Sequence, residues 1–307
     1  MLEELLRDAC AGDPMTGLKW TRKTLRALQR ELNRKGFNVA IATIRRLLRK
    51  LRYAIRVNRK RLTREQNPAR DRQMRYLIRM RRRFLKAGKP AISSDTKKRE
   101  LVGNFKYVGG TWRREPIPVL EYDYPSHADG VAIPYGIYDL AGKDGFVVIG
   151  TSRQTPEFAI AAIRRWWIKV GRLQYSGQRE LLIQVDGGNP NSSRSWLWKF
   201  GLQQLADEFG LQITVTHLPP GASKWNPVAH RLFSHITKNW AGQPLISYET
   251  VLKFIRTTRT DTGLRVRAYL DQTDYQTGVK LNAAQKAQIN LFPLRVLPKW
   301  NYIIKPR

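Results

Sequence analysis

Two stretches of sequence decide the fold: LLIQVDGGN at residues 181–189 and AISSDT at residues 91–96. Each is a short apolar run with the length of a buried strand, and each contains an aspartate at its end, Asp186 or Asp95. Either aspartate alone could be an ordinary turn residue. Two carboxylates at the ends of neighbouring strands would instead offer the hard oxygen ligands that Mg²⁺ prefers. We therefore expect Asp95 and Asp186 to share one metal site.

A third stretch, WNPVAHRLF at residues 225–233, begins a helix. Asn226 and Pro227 are a typical N-cap and first-turn pair. Position 229 then falls in the first turn, on the same face as the apolar Phe233, and points towards the sheet. An acid there could hold a cation or form a capping box. The residue present is alanine, which fits the helix but cannot hold a cation.

Length and composition limit the class of protein. The chain has 307 residues, enough for one large domain or two smaller ones, and 42% of them are hydrophobic. The net charge of +32 indicates an anionic partner, and nucleic acid is favoured over an anionic membrane surface. No run approaches the roughly 20 apolar residues of a transmembrane helix, and the acidic N-terminus is unlike a signal peptide. Cys10 is the only cysteine, which excludes an internal disulfide. The single cysteine fits a reducing cytoplasm.

Positive charge is concentrated in the first 90 residues, which contain 27 Lys and Arg and 7 Asp and Glu, a net charge of +20. The remaining residues carry the other +12 of the total of +32. Residues 21–35 predict a helix that is capped by Thr21 and stopped by Gly36, and residues 40–51 predict a second helix. Such a pair matches a helix-turn-helix, which we assign to residues 1–55 as an all-α DNA-binding domain. Its second helix would present to DNA the residues Thr43, Arg45, Arg46, Arg49 and Lys50. The alternative is a helical hairpin with a solvated basic face.

Residues 56–89 continue the basic character and predict a helical linker. Its apolar positions are Met74, Leu77, Ile78 and Phe84. Its basic clusters are Arg59, Lys60 and Arg61, and Arg81, Arg82 and Arg83. These clusters either follow a phosphate backbone, which we favour, or form a solvated face.

From residue 90 the pattern changes to short strands and helices. Strands are predicted at residues 91–96, 132–140, 146–151, 180–186 and 212–218, and helices at 155–170, 193–209 and 227–240. The order β-β-β-α-β-α-β-α predicts an α/β domain over residues 90–260, with a mixed five-stranded sheet covered by helices. It matches the ribonuclease H-like fold, and chemistry in such sheets gathers at the carboxyl ends of strands. Residues 261–307 are assigned to a C-terminal extension that either packs on this domain or reaches a partner subunit or DNA.

Short motifs spread over about residues 10–290 carry a family resemblance. They are SDTKK (94–98), ELVG (100–103), IPYG (133–136), YDL (138–140), IRRWW (163–167), DGG (186–188), PPG (219–221), SKWN (223–226), HRLFS (230–234) and TGVK (277–280). Together they resemble the Rhodopirellula-type insertion-sequence transposases, a branch of the DDE transposases with a ribonuclease H-like catalytic domain.

The resemblance implies a triad of two aspartates and a glutamate, two divalent ions (Mg²⁺ or Mn²⁺), and cleavage and joining of DNA strands at element ends. Asp95, as the carboxylate bridging both ions, and Asp186 match the first two acids. The family has glutamate directly before HRLFS, where this chain has Ala229. The implied partners are transposon-end inverted repeats, target DNA and further copies of the chain in a dimer or larger synapse.

The alanine has two explanations. It is either a substitution introduced to trap an uncut DNA complex or a natural lesion in a decayed or repurposed copy. The intact motif around it favours a single deliberate change. In either case we expect this copy to bind DNA without strand transfer.

Other polar and aromatic residues near the site are weaker candidates. Phosphate contacts are predicted for Lys97, Lys98, Lys224, His230 and Arg231, each of which could equally be a surface or supporting residue. Most tryptophans, among them Trp166, Trp167, Trp196, Trp198 and Trp240, are expected in the core. Trp112 and Trp225 lie on predicted loops and are the candidates for base stacking.

Three functions follow from this sequence. The first is a DNA transposase of a bacterial insertion sequence, inactive in this copy. The second is a non-catalytic DNA-binding regulator descended from a transposase, which Ala229 favours. The third is a nuclease without joining activity.

Overall fold

The computed structural model describes residue 2, residues 23–51, 53 and 68–307, and the backbone of residues 10–12 and 19–21. These residues form two compact units, Met1–Thr63 and Arg64–Arg307. No helix among them is long and apolar enough to cross a lipid bilayer.

The first unit contains the two predicted helices. They are α1 (Leu25–Arg34) and α2 (Ile41–Lys50). They pack through the buried side chains of Leu28, Leu32 and Ile44, which form the leucine and isoleucine stripes expected from the sequence. Gly36, with a φ of 83°, ends the first helix in a left-handed conformation that glycine adopts without strain.

The start of this unit differs from the prediction. The backbone of β1 (Cys10–Gly12) pairs antiparallel with that of β2 (Lys19–Thr21), so the unit is not all-α. Thr21 lies in this ribbon, and the cap of α1 is Thr24, whose hydroxyl accepts a hydrogen bond from Ala27 N at 3.1 Å. Thr21 and Thr24 are both suitable caps, and strand pairing of the first leaves the second to begin the helix.

A nine-stranded mixed sheet organises the second unit. Its strands are β3 (Ala91–Thr96), β4 (Glu100–Val102), β5 (Gly130–Asp139), β6 (Gly145–Gly150), β7 (Glu180–Val185), β8 (Gln212–His217), β9 (Val266–Asp271), β10 (Leu291–Pro293) and β11 (Asn301–Ile304). The order is β10-β11-β8-β7-β3-β5-β6-β9, and β4 pairs with β5. Strands β3, β7 and β8 run parallel, while β5 is antiparallel to both β3 and β6. All five predicted strands are present at the centre, in the arrangement of a ribonuclease H-like fold.

The sheet is larger than predicted because the C-terminal residues join it. Strand β9 pairs in parallel with β6, and β11 pairs antiparallel with β8 and carries β10 on its outer edge. The segment predicted as an extension therefore packs as part of the sheet. Strand β4 adds a short pairing inside the polar excursion after β3.

Helices cover both faces of the sheet. They are α3 (Ala69–Lys86), α4 (Pro156–Trp166), α5 (Arg172–Gln174), α6 (Trp196–Phe209), α7 (Ser234–Asn239), α8 (Tyr248–Arg256) and α9 (Ala283–Ala287), with π-helical turns at Trp167–Gly171 and Ala229–Phe233. Helices α4 and α6 pack on one face, against alternate residues such as Ile133, Ile183 and Ile213. The segment 227–239 and α8 pack on the other.

Helix α3 was expected in a linker over residues 56–89, but it is part of the second unit. Tyr76, Met80 and Phe84 are buried against Ala91 and Leu182 of the sheet. Ile78, predicted on the apolar side, is 40% exposed. The buried side of α3 is formed instead by Gln73, Tyr76, Leu77, Met80 and Phe84.

Polar contacts also attach α3 to the strands. Buried Gln184 donates to Leu77 O at 3.0 Å, and Arg81 Nε donates to Gln184 Oε1 at 2.9 Å. Arg81 is thereby fixed on the sheet, while Arg82 and Arg83 are exposed. The other cluster, Arg59, Lys60 and Arg61, lies outside the described residues.

Candidate active site

Asp95 and Asp186 lie side by side at the carboxyl ends of two parallel strands. Ser94 of β3 is in register with Val185 of β7, so each aspartate occupies the next position of its chain. Neighbouring strands are about 4.8 Å apart. Alternation along the strands directs both carboxylates to the face covered by the segment 227–239. The structure thus brings together the two acids that the sequence singled out.

The electrostatics of this pair favour an added positive charge. Burial and the nearby Asp186 charge raise the pKa of Asp95 to about 7, against the opposing effect of hydrogen bonds from Thr96 and Asn226. Burial also raises the pKa of Asp186. Burial and mutual repulsion thus disfavour the charged form of both carboxylates, and a cation bound between them would compensate that charge.

Asn226 holds the Asp95 carboxylate in place. Its amide Nδ2 donates to Asp95 Oδ2 at 2.8 Å, and its Oδ1 accepts from Ser93 Oγ at 3.0 Å. The other oxygen of Asp95 accepts from Thr96 N at 2.7 Å. Asn226 is fully buried, so its side chain is committed to the strand instead of capping the helix as predicted. Each Asp95 oxygen keeps a further lone pair available for a cation.

One oxygen of the acidic pair lacks a hydrogen-bond partner. Asp186 Oδ1 is among the buried side-chain atoms without one in the described part of the chain. Buried polar atoms are normally paired, so each unpaired atom calls for an explanation such as an ion or water. Oxygen donors of this type fit Mg²⁺ or Mn²⁺. The residues present therefore fit a divalent cation held by Asp95 and Asp186.

Residue 229 lies on the segment that covers these acids. Asn226, three residues before it, bonds to Asp95. Phe233, four residues after it, packs over Gly136, which is the β5 residue paired with Asp95. The contact is so close that a Cβ added to Gly136 would lie 2.3 Å from Phe233 Cε1. Ala229 is half-buried between these two anchors.

Among the described residues, no third acid completes the site. In residues 2, 23–51, 53 and 68–307, no three His, Cys, Asp or Glu side chains form a group suited to a metal ion. The buried Asp139 pairs in register with Ile92, roughly 10 Å along the strand from Asp95. Its carboxylate accepts hydrogen bonds from Tyr175 Oη at 2.8 Å. Asp139 therefore stabilises a turn at the other end of the sheet.

The predicted phosphate contacts fall into two groups. Lys98, Lys224, His230 and Arg231 are exposed. Lys97, in contrast, forms an ion pair with Glu100 in which both side chains are largely buried, and its Nζ lies 4.6 Å from the centre of the Trp240 ring. For Lys97 this favours the supporting role that the sequence left open, because its charge is paired with Glu100.

Arg81 is a basic residue near the site that had no individual role in the sequence analysis. Burial and the charge of Arg231 lower its pKa, which indicates that the two guanidinium groups lie close together. Gln184, which binds Arg81, precedes Asp186 by two residues and faces the same side of the sheet. No local pattern distinguishes Arg81 from its exposed neighbours Arg82 and Arg83.

The tryptophans follow the prediction with one exception. Trp166, Trp167, Trp198 and Trp240 are buried. Trp196 was expected in the core but is 47% exposed, because it begins α6 on the surface. Trp112 is fully exposed, and Trp225 is 46% exposed with the guanidinium of Arg70 at 4.9 Å from its ring centre.

In the first unit, helix α2 exposes the predicted basic residues. Arg45, Arg46, Arg49 and Lys50 are exposed, and Thr43 is half-buried. Ile44, on the opposite side of the helix, is fully buried against α1. Within the described residues, the basic side of α2 is thus exposed and its apolar side packs on α1.

Comparison with known proteins identifies a family. A family model described as "Rhodopirellula transposase DDE domain" matches residues 1–306. Solved structures with a similar fold include a pre-cleavage Mos1 transpososome (17% identity, TM-score 0.46) and the Mos1 mariner paired-end complex with Mn (17% identity, TM-score 0.45). Each match covers 83% of this chain and 68% of the other. A search of curated proteins found no match.

Proposed function

Because the chain belongs to the Rhodopirellula transposase DDE-domain family, we propose that it binds the ends of a bacterial insertion sequence and is built for metal-dependent strand cleavage and transfer there. The observation that carries this proposal is the buried pair Asp95 and Asp186, with the first fixed by Asn226 and the second left with an unpaired oxygen.

The roles of the residues follow from their chemistry. Asp95 and Asp186 hold divalent cations through carboxylate oxygens, and Asn226 orients Asp95 by donating to Oδ2. Ser93 in turn orients the Asn226 amide by donating to its Oδ1. When bound, such cations activate a water or hydroxyl and stabilise the leaving oxygen of a phosphodiester.

Ala229 makes this copy inactive under the proposal. The segment from Asn226 to Phe233 covers the acids, and a longer acidic side chain at position 229 would extend from it towards the carboxylate pair. Alanine supplies no ligand oxygen, so one of the two ions lacks its full set. The chain retains its DNA-binding surface and the Asp95–Asp186 pair, and it lacks strand transfer.

Restoring the acid tests this assignment. A supercoiled plasmid carrying the inverted repeats that flank the encoding gene is incubated with the Ala229→Glu variant and Mg²⁺. Nicking at the repeat ends is expected for Ala229→Glu and not for the original chain. Ala229→Gln is the matched control, because it adds nearly the same volume without the charge and should stay inactive. Equal inactivity of Ala229→Glu on a verified end sequence would refute the role of position 229.

The alternative is a non-catalytic regulator descended from a transposase, and the alanine at position 229 favours it. The encoding locus separates the two, since flanking inverted repeats favour a transposase and their absence favours a repurposed protein. The products of the restored enzyme separate transposition from simple hydrolysis. Ends joined to a target plasmid indicate transfer, whereas free nicked ends indicate a nuclease.

Assembly belongs to the same proposal. Joining two element ends requires two binding sites in one complex, so we expect a homodimer or larger synapse on end DNA. Light scattering of the chain with an end duplex measures this directly. A single copy bound per duplex at saturating protein, without pairing of duplexes, would count against it.

A further inference from the structure

A basic cavity lies beside the loop that follows Asp186. Its volume is about 780 Å³, and its lining includes Ser193, Arg194, Lys199, Lys299, Trp300 and Tyr302. Ser193 and Arg194 belong to the loop between β7 and α6, and the other residues belong to α6 and the C-terminal strand region. Because β11 begins beside the carboxyl end of β8, and β8 neighbours β7, the cavity lies at the edge of the sheet that also carries Asp186.

The cavity contains cations without acidic partners. Arg194, Lys199 and Lys299 line it, and its lining includes no aspartate or glutamate. None of the three forms an ion pair with a carboxylate in the described ranges. Lys199 is half-buried, and burial lowers its pKa. A partly desolvated ammonium without a counterion is costly, and an external anion would relieve this cost.

Aromatic rings surround the central lysine. Lys199 Nζ lies 4.8 Å from the centre of the Trp196 ring and 5.7 Å from that of Tyr302. Trp300 lies in the lining and is partly exposed. Cationic groups beside accessible aromatic rings are the combination with which proteins bind the phosphates and bases of single-stranded nucleic acid.

A buried histidine connects this cavity to the acidic site. His217 Nε2 lies 3.0 Å from Asn191 O, and His217 Nδ1 lies 2.9 Å from Trp300 O. Asn191 follows Asp186 by five residues, and its side chain accepts from Tyr135 Oη at 2.9 Å. Burial lowers the pKa of His217 to about 4, so the ring is neutral at pH 7 and one of its nitrogens donates. The ring therefore bonds to only one of the two carbonyls, while the main-chain N of His217 donates to Trp300 O at 3.0 Å and holds Trp300 in either tautomer.

We propose that this cavity binds one nucleotide of a DNA strand, with the phosphate among Arg194, Lys199 and Lys299 and the base against Trp300. The choice of a DNA strand over a free nucleotide rests on the proposed function. The cavity would then hold the strand at the same edge of the sheet as the acidic pair.

Binding measurements test the site without any cleavage. The probe is fluorescent oligo-dT of eight nucleotides, titrated with the full chain carrying Ala229 at several salt concentrations. Lys199→Gln and Lys299→Gln should each weaken binding severalfold and reduce the salt slope by about 0.7, the value expected for one lost phosphate contact on a single strand. Trp300→Leu should weaken binding about tenfold with little change in the slope. The leucine variant keeps the main-chain carbonyl of residue 300 that contacts His217, so it changes only the side chain.

Two controls keep the result interpretable. The Nζ of Lys286 also lies near Trp196, 5.9 Å from the ring centre, but Lys286 does not line the cavity. The Lys286→Gln variant should therefore bind the probe like the original chain. Lys199→Arg keeps the charge and should retain most binding, which separates charge loss from misfolding. Photo-cross-linking of 5-iodouracil in the same probe should label Trp300.

The proposal is overturned if the lining variants match Lys286→Gln or if the cross-link maps elsewhere. Tight binding of free dTMP that is equally sensitive to Lys199→Gln would overturn the DNA-strand assignment. Failure of the proposed transposase activity is a separate result, because it appears in the cleavage assay of Ala229→Glu and not in these titrations.

Discussion

Asn226 Nδ2 lies 2.8 Å from Asp95 Oδ2, so the residue that precedes the helical segment carrying position 229 also fixes the first carboxylate of the site. The same amide accepts from Ser93, two residues before Asp95 on the same strand. The segment and the strand are thus coupled through one buried side chain. Any shift of the segment would change the orientation of Asp95 as well as the position of residue 229.

The Asn226→Ala substitution tests this coupling. Removal of an outer hydrogen bond to a metal ligand typically costs 10–100-fold in metal affinity, and we expect a loss of about tenfold for Mn²⁺. Calorimetric titration with Mn²⁺ measures it. Ser93→Ala is the matched variant, since it removes the support of Asn226 while leaving the bond to Asp95, and it should cost less. Unchanged Mn²⁺ affinity in a folded Asn226→Ala protein would show that Asn226 does not orient the ligand.

The parts of the site that depend on local pattern could be predicted from the sequence. Apolar runs with an aspartate at their end located both Asp95 and Asp186, and the alternation of strands and helices placed them on adjacent parallel strands. The role of Asn226 could not be predicted, because Asn before Pro is equally suited to a helix cap. Only the tertiary position of Ser93 and Asp95 decides where its amide points.

The outer strands were missed for a different reason. Strands β10 and β11 have three and four residues, and short runs of this kind carry no clear period. They become strands because β8 offers a free edge, with which β11 pairs. The environment of Lys97 could not be predicted either, because Trp240, whose ring lies beside the lysine, is far away in sequence.

The raised pKa of Asp95 predicts how stability depends on pH. The folded pKa of Asp95, about 7, lies above its ordinary value of 3.8, so between these values the carboxyl binds more protons in the folded than in the unfolded state. The metal-free protein should therefore lose stability as pH rises from about 4 to about 7. Calorimetric unfolding across this range measures the loss.

Two changes should remove this loss. Asp95→Asn eliminates the titrating group, and it should raise the melting temperature at pH 8 by several degrees, at roughly 2–4 °C per kcal/mol for a unit of this size. Mg²⁺ should raise the melting temperature of the original chain at pH 8 and much less at pH 5, where protons compete. A melting temperature of Asp95→Asn that falls as steeply with pH as the original would contradict the assignment of the raised pKa to this residue.

Lys97 and Lys98 are adjacent but should behave differently. Lys97→Gln leaves the largely buried Glu100 without its cation, and breaking such a pair costs about 3 kcal/mol or more. Lys98 is exposed, and Lys98→Gln should change stability by less than about 0.5 kcal/mol. Denaturant unfolding compares the two. If Lys98→Gln destabilised the protein as much as Lys97→Gln, the distinction between a structural and a free lysine would be wrong.

The basic face of α2 should supply much of the electrostatic affinity for duplex DNA. Arg46→Gln combined with Arg49→Gln removes two exposed charges without touching the buried Ile44. For contacts with two phosphates, the slope of log affinity against log salt should fall by about 1.8. Fluorescence anisotropy on an end duplex between 50 and 200 mM salt measures it.

The charge-matched control is the double variant Arg172→Gln with Lys253→Gln, two exposed residues of the second unit. An identical slope for both double variants would assign the phosphate contacts to other residues and leave α1 and α2 as a helical hairpin with a solvated face.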